Sequence, residues 1–109
     1  MLAPRKTLHS TPLSVFRQAL DIVDATTNDV LYDIGCGDGR CVVDASLRLG
    51  IRSVGIEIDE KRAQAAREAA SDAQVGHLVT ILGGNALDFD YDDATIVFLF
   101  LIERGLREK

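Results

Sequence analysis

The sequence predicts an α/β fold built on a parallel sheet, and three observations point to it. Apolar runs of strand length alternate with stretches whose apolar residues recur at helical spacing, the pattern of βαβ units with right-handed crossovers. Glycine-bearing turns separate the two, above all in 30-VLYDIGCGDGR-40, where three glycines fall within five residues directly after an apolar run. With 109 residues, 47% of them apolar and 27% charged, the chain has the size and composition of one globular domain, 1–109, at the small end of what buries its own core.

The elements follow in order. Residues 1–10 are expected to be flexible. Thr11 and Pro12 read as an N-cap and a first helical residue, and Leu13, Phe16, Leu20 and Val23 then recur on one face of a helix. The polar cluster 26–29 ends it, and residues 30–34 form a short buried strand closed by the glycine turn. Beyond Gly39, Val42, Val43, Leu47 and Leu49 mark a helix that stops at Gly50, a natural residue just past a helix end. Residues 51–58 form the second strand. Asp59 caps a helix over about 60–73 whose buried side is alanine after alanine, which lets it lie close to a sheet. A third strand is expected over 77–82, then a turn at Gly83 and Gly84, the acidic connection 88–93, and a fourth, almost wholly apolar strand over 94–101. Residues 102–109 read as amphipathic and helical. The architecture is half of a Rossmann-like fold.

Charge narrows the function. The net charge is −5, and residues 21–100 carry fifteen acids against six bases, while residues 1–20 hold Arg5, Lys6 and Arg17 and no acid. Nucleic-acid binding draws on clustered Lys and Arg, and the anionic body argues against it as a partner. Cys36 and Cys41 are the only cysteines, which suits a reducing compartment, and with His9 and His77 they form no metal-ligand spacing. No run approaches the ~18 apolar residues that cross a bilayer, so no membrane partner is expected. The cytoplasm is the expected location. The acid-free start has a faint transit-peptide composition, which keeps the mitochondrion as the alternative.

A strand, a glycine turn and a helix N-terminus together make a ligand cradle. The spacing Gly35-x-Gly37-x-Gly39 places the third glycine one position earlier than the G-x-G-x-x-G of dinucleotide sites. Asp33 and Asp38 bracket the turn and would repel a pyrophosphate, whereas a cationic ligand would gain from them. The nucleoside-triphosphate pattern G-x-x-x-x-G-K-[ST] is absent.

These residues resemble a family. Asp33-Ile-Gly35-Cys-Gly37-Asp-Gly39 is similar to the first motif of the class I, seven-strand S-adenosylmethionine-dependent methyltransferases, and Val54-Gly-Ile-Glu57-Ile-Asp59 to their second. Glu57 lies eighteen residues beyond Gly39, close to the ~20 at which an acid reaches ribose hydroxyls. The resemblance implies S-adenosylmethionine as cofactor, with S-adenosylhomocysteine as product, and a strand order of 3-2-1-4. It implies that Gly35, Cys36 and Gly37 line the methionine moiety at the turn closed by Gly39, that Asp33 lies near its amino group, that Glu57 holds the ribose diol and that Ile58 packs on the adenine. Asn85 and Ala86 stand where the family commonly places an acid at the adenine amino group, and the Asn85 amide oxygen can accept that hydrogen bond.

No residue is identified as catalytic. Methyl transfer chiefly asks that a nucleophile be aligned and desolvated. Ser10-Thr11-Pro12 together with the run 94–101 is similar to a subgroup containing small protein-lysine methyltransferases, which suggests a protein lysine as acceptor and Phe100 as a channel wall. The family sheet has seven strands and four are found, so the chain is expected to be the N-terminal half of that fold. Its fourth strand would then expose a long apolar edge, opening at Thr95 and closing at Leu101, and a homodimer through that edge is the expected remedy. The rival readings are a non-catalytic cofactor-binding or partner-binding module, a small-molecule or RNA methyltransferase, and, disfavoured by its glycine spacing, a nicotinamide-dependent oxidoreductase.

Overall fold

A computed structural model describes residues 11–99. Helix α1 (Leu13–Ile22) leads into strand β1 (Val30–Ile34), helix α2 (Arg40–Leu49), strand β2 (Arg52–Glu57), helix α3 (Glu60–Asp72), strand β3 (Val79–Gly83), a short 3₁₀ turn (Ala86–Asp88) and strand β4 (Ile96–Leu99). The four strands are parallel and ordered β3-β2-β1-β4, as expected. The first ten residues, Phe100, Leu101 and the 102–109 segment read as helical lie outside the described residues.

Several boundaries move for identifiable reasons. Pro12 is the N-cap of α1 in extended conformation, with no side-chain cap, so the helix starts at Leu13 and Thr11 does not cap it. Val23 falls past the helix end and is exposed, leaving Leu13, Phe16 and Leu20 as the packed face. Leu47 also points outward, 61% exposed; α2 packs through Cys41, Val42, Ala45 and Ser46. Strand β1 spans the expected 30–34 and β2 is one residue shorter than expected at each end; β3 starts two residues late, at Val79, and runs on through Gly83, where a turn was expected, and β4 starts at Ile96, two residues into the apolar run. Asp59 caps α3 as expected, its side chain accepting from the Lys61 N–H.

All three helices cover one face of the sheet. Side chains alternate along a strand, and Leu31, Ile96 and Phe98 meet Phe16, Leu20, Cys41, Ala45 and Ile51, with the Phe16 and Phe98 rings edge-to-face at 5.1 Å. Val79 and Ile81 meet Ala63, Ala66 and Ala70 of α3 together with Cys36 and Val42. Asp44 fastens α1 to α2: its carboxylate takes bonds from Arg17, at 2.6 and 3.1 Å, and from Arg48 at 3.0 Å. Those bonds, the Arg17 bond foremost, hold the Asp44 carboxyl below its usual range against the opposing effect of burial. The opposite face carries Tyr32, Ile34, Val54, Leu82, Val97 and Leu99 by the register of the four strands. Tyr32 is covered there by the connection after β3, while Val97 and Leu99 are about half exposed. The carboxyl ends of the strands come together at the glycine turn, where the order reverses between β1 and β4, the place at which open α/β sheets hold ligands.

Candidate cofactor site

The glycine turn folds back on the tip of β2. The N–H groups of Gly35 and Cys36 both donate to the Ile56 carbonyl, at 2.8 and 2.9 Å, and Gly39 N–H donates to the Cys36 carbonyl. All three glycines have positive φ. Gly39 is doubly constrained, because a Cβ there would come within 2.8 Å of the Ala66 Cβ: the turn lies against the alanine side of α3. Gly55 of β2 makes room in the same way for the Cys36 sulfur. The Cys36 side chain therefore belongs to the core, and only its backbone faces the turn. Burial, reinforced by the charge of Asp33, pushes its thiol up to about 12; Cys41 is raised to about 12 for the same leading reason.

Glu57, 5% exposed at the end of β2, binds the turn directly: its Oε1 accepts from Gly37 N–H at 2.8 Å and its Oε2 from Asp59 N–H at 3.0 Å. Such charge-assisted bonds are the strong ones, and they tie the two motifs into one unit. Asp33 is 4% exposed, and among the described residues no protein donor reaches its carboxyl. Burial, with the neighbouring Glu57 charge second, raises it from 3.8 to about 7. Asp38 differs from expectation as a source of negative potential. Arg40 binds both its oxygens in an exposed ion pair, which holds its carboxyl below the usual range, so Asp33 and Glu57 carry the anionic character of the turn.

Gly84 N–H donates to the Glu57 carbonyl at 3.0 Å, which brings the segment after β3 alongside. Asn85 is exposed and caps the 3₁₀ turn, its Oδ1 accepting from Leu87 N–H at 2.9 Å. Ala86 is half-buried beside it, and Ile58 stands at the rim, 72% exposed. Asp33, Gly35, Gly37, Glu57 and the Asn85–Ala86 pair are thus assembled at neighbouring strand ends. Read as no more than an acidic connection, 88–93 gives no hint that Asp93 accepts from the buried Tyr32 hydroxyl at 2.6 Å; the available signal is the pair of aromatic residues, Phe89 and Tyr91, interrupting the acidic run. Among the described residues, no group of three or more His, Cys, Asp or Glu is placed to hold a metal, and no helix is long and apolar enough to cross a membrane.

The sheet order and the acid-flanked glycine turn match the Rossmann-like fold of the class I methyltransferases. A family model described as the ANTKMT methyltransferase domain matches residues 33–108. A protein-lysine N-methyltransferase of Saccharolobus islandicus is 34% identical over 93 residues, covering 84% of this chain and 58% of that protein. Among solved structures, an RNA methyltransferase from Salinibacter ruber in complex with S-adenosyl-L-homocysteine is 40% identical with a TM-score of 0.83, covering 89% of this chain and 63% of that one. A methyltransferase from Geobacter sulfurreducens, also bound to S-adenosyl-L-homocysteine, shares the fold at 22% identity and a TM-score of 0.72, over 83% of this chain and 36% of its own. The chain belongs to the ANTKMT methyltransferase domain family, and it spans somewhat under two thirds of the lengths of the first two relatives.

Proposed function

We propose that this chain is the S-adenosylmethionine-binding portion of a methyltransferase whose acceptor is a protein lysine side chain. The observation that carries the cofactor reading is the Asp33 carboxyl, buried without a protein donor among the described residues, beside Glu57 at the glycine turn. A buried carboxyl of that kind is costly unless a cation completes it, and an ammonium group does so. In this reading Asp33 takes the cofactor's amino group and the backbone of Gly35, Cys36 and Gly37 lines its amino-acid portion. Gly39 lets the turn close on α3, Glu57 holds the ribose hydroxyls, Ile58 covers the base and Asn85 with Ala86 reads its edge. When bound, the cofactor supplies a methyl group made electrophilic by a sulfonium. The chain's own part is to hold that group beside the end of β4, where the half-exposed, apolar Leu99 would help desolvate an approaching amine.

The lysine acceptor is supported by the name of the Saccharolobus relative and by the anionic body, which favours a cationic substrate. RNA is the second reading, favoured by the name of the Salinibacter relative and opposed by the same charge. Incubating the chain with methyl-labelled S-adenosylmethionine and, separately, with lysine-rich protein and with transcribed RNA decides between them. Label on lysine supports the proposal, label on RNA replaces it, and cofactor binding without transfer to either supports the non-catalytic module.

A homodimer through β4 belongs to the same proposal. The outer edge of β3 is blunted by Arg67, whose guanidinium reaches the Ile81 carbonyl at 3.4 Å, whereas β4 presents half-exposed Val97 and Leu99. Light scattering should give twice the chain mass, and Val97→Lys should return it to the monomer value; a monomer at micromolar concentration before mutation rejects the dimer. The cytoplasm is the proposed compartment, consistent with two buried free thiols.

A further inference from the structure

The connection between β3 and β4 has little apolar anchoring at its start: Leu87 is 90% exposed and no residue of the 3₁₀ turn is buried. Two tyrosine hydroxyls hold it instead. Tyr91 donates to the Ala86 carbonyl at 2.6 Å, and the N–H of the same peptide unit, that of Leu87, is held at 2.9 Å by the Asn85 side chain. The 86–87 peptide is therefore pinned at both ends, and its plane dictates where the Asn85 amide lies. Tyr32 secures Tyr91 in turn: the two rings meet edge-to-face with centroids 5.3 Å apart, and the Tyr32 hydroxyl donates to Asp93 Oδ1 at 2.6 Å. That bond, with burial second, raises the Tyr32 phenol to about 12, so it remains a donor at any physiological pH. At the other end the Phe89 ring lies against Gly84, where a Cβ would come within 3.1 Å of it.

We infer that Tyr32, Tyr91 and Asp93 are positioning residues for adenine recognition, fastening the 84–93 connection to the open face of the sheet and so setting where Asn85 and Ala86 meet the base. The inference rests on the cofactor reading above. Tyr32 directly precedes Asp33 on β1, so one short strand aims the carboxyl for the amino-acid end and supports the segment for the base end. The three residues act through Asn85 and Ala86 and need not touch the cofactor.

The test compares S-adenosylhomocysteine with S-inosylhomocysteine, which carries a carbonyl in place of the adenine amino group, by calorimetric titration. The unaltered chain should prefer the adenine compound. Tyr91→Phe keeps the ring and removes the bond to Ala86; it should weaken S-adenosylhomocysteine by about tenfold, the scale of one net hydrogen bond, and leave the inosine compound nearly unchanged. Asp93→Ala should narrow the preference in the same direction, and Asp93→Asn should restore it, because an amide oxygen can still accept the Tyr32 hydroxyl. The Asp93 pair keeps the test decisive if Tyr91→Phe fails to fold. Equal losses for both compounds, or an unchanged preference, overturn the positioning role. Failure of the unaltered chain to bind either compound overturns the cofactor reading and this inference together, whereas binding without a base preference overturns this inference alone.

Discussion

Replacing Asp33 by asparagine should stabilise the ligand-free domain at pH 8 while weakening its hold on the cofactor. The folded state raises this carboxyl from 3.8 to about 7, chiefly through burial and secondarily through Glu57. The protonated form is thus the one the fold prefers. Between about pH 4 and pH 7 the native state holds a proton that the unfolded chain has released, so stability falls as pH rises through that window; the cost is absent below it and complete above it. A shift of about three units corresponds to about 4 kcal/mol as an upper bound. Relaxation of the site and water penetration reduce this, so about 1–3 kcal/mol is the expected gain for an isosteric neutral side chain at pH 8. Thermal unfolding at pH 5 and pH 8 reads it directly. Unaltered protein should melt lower at pH 8 than at pH 5, allowing for the other carboxylates, and Asp33→Asn should recover several degrees at pH 8 with little change at pH 5. In the same samples S-adenosylhomocysteine should bind the variant about 10- to 100-fold more weakly at pH 8, the scale of a lost hydrogen bond to a charged group. A variant that melts lower at pH 8, or binds as tightly, refutes the assignment of this carboxyl to a cation.

Three further outcomes are expected. Glu57→Gln should cost about 1–3 kcal/mol in urea unfolding, because an amide cannot accept from both Gly37 and Asp59 N–H groups; it should also weaken S-adenosylhomocysteine at least about tenfold, and unchanged affinity would remove Glu57 from the site. Gly39→Ala forces a Cβ to 2.8 Å from that of Ala66 at a positive φ and should cost about 2–4 kcal/mol in the same assay, with a loss below about 0.5 kcal/mol counting against the close approach of turn and helix. Cys36 and Cys41, buried and both raised to about 12, should resist iodoacetamide at pH 8 in the native protein and react on unfolding, as mass spectrometry would show; rapid native alkylation would mean that the turn opens.

What the sequence disclosed was local. The glycine turn, the Asp59 cap, the alanine face of α3 and the alternation of elements are short-range patterns, and each is where it was expected. The strand order came through resemblance to a family and holds in the structure. The misread residues failed where periodicity alone cannot tell a packed face from its margin: Leu47 fits the helical spacing of α2 yet faces outward, because the side chains that meet the sheet are Cys41, Val42 and Ala45. Asp38 counts in the sequence as a charge bracketing the turn, yet Arg40, two residues away, pairs with it. The Tyr32 to Asp93 bond was out of reach, since it joins residues 61 apart and depends on which sheet face the connection covers. The raised Asp33 carboxyl was out of reach for a similar reason: it follows from burial by elements distant in sequence and from the approach of Glu57.

The most direct measurement is calorimetric titration of the chain with S-adenosylhomocysteine and, in parallel, with NAD. Saturable heat from the first, with the affinity at least about tenfold weaker in Glu57→Gln, and none from the second, is the predicted result. Heat from NAD alone, or from neither nucleoside, would contradict the claim that this acid-lined turn receives a cationic cofactor.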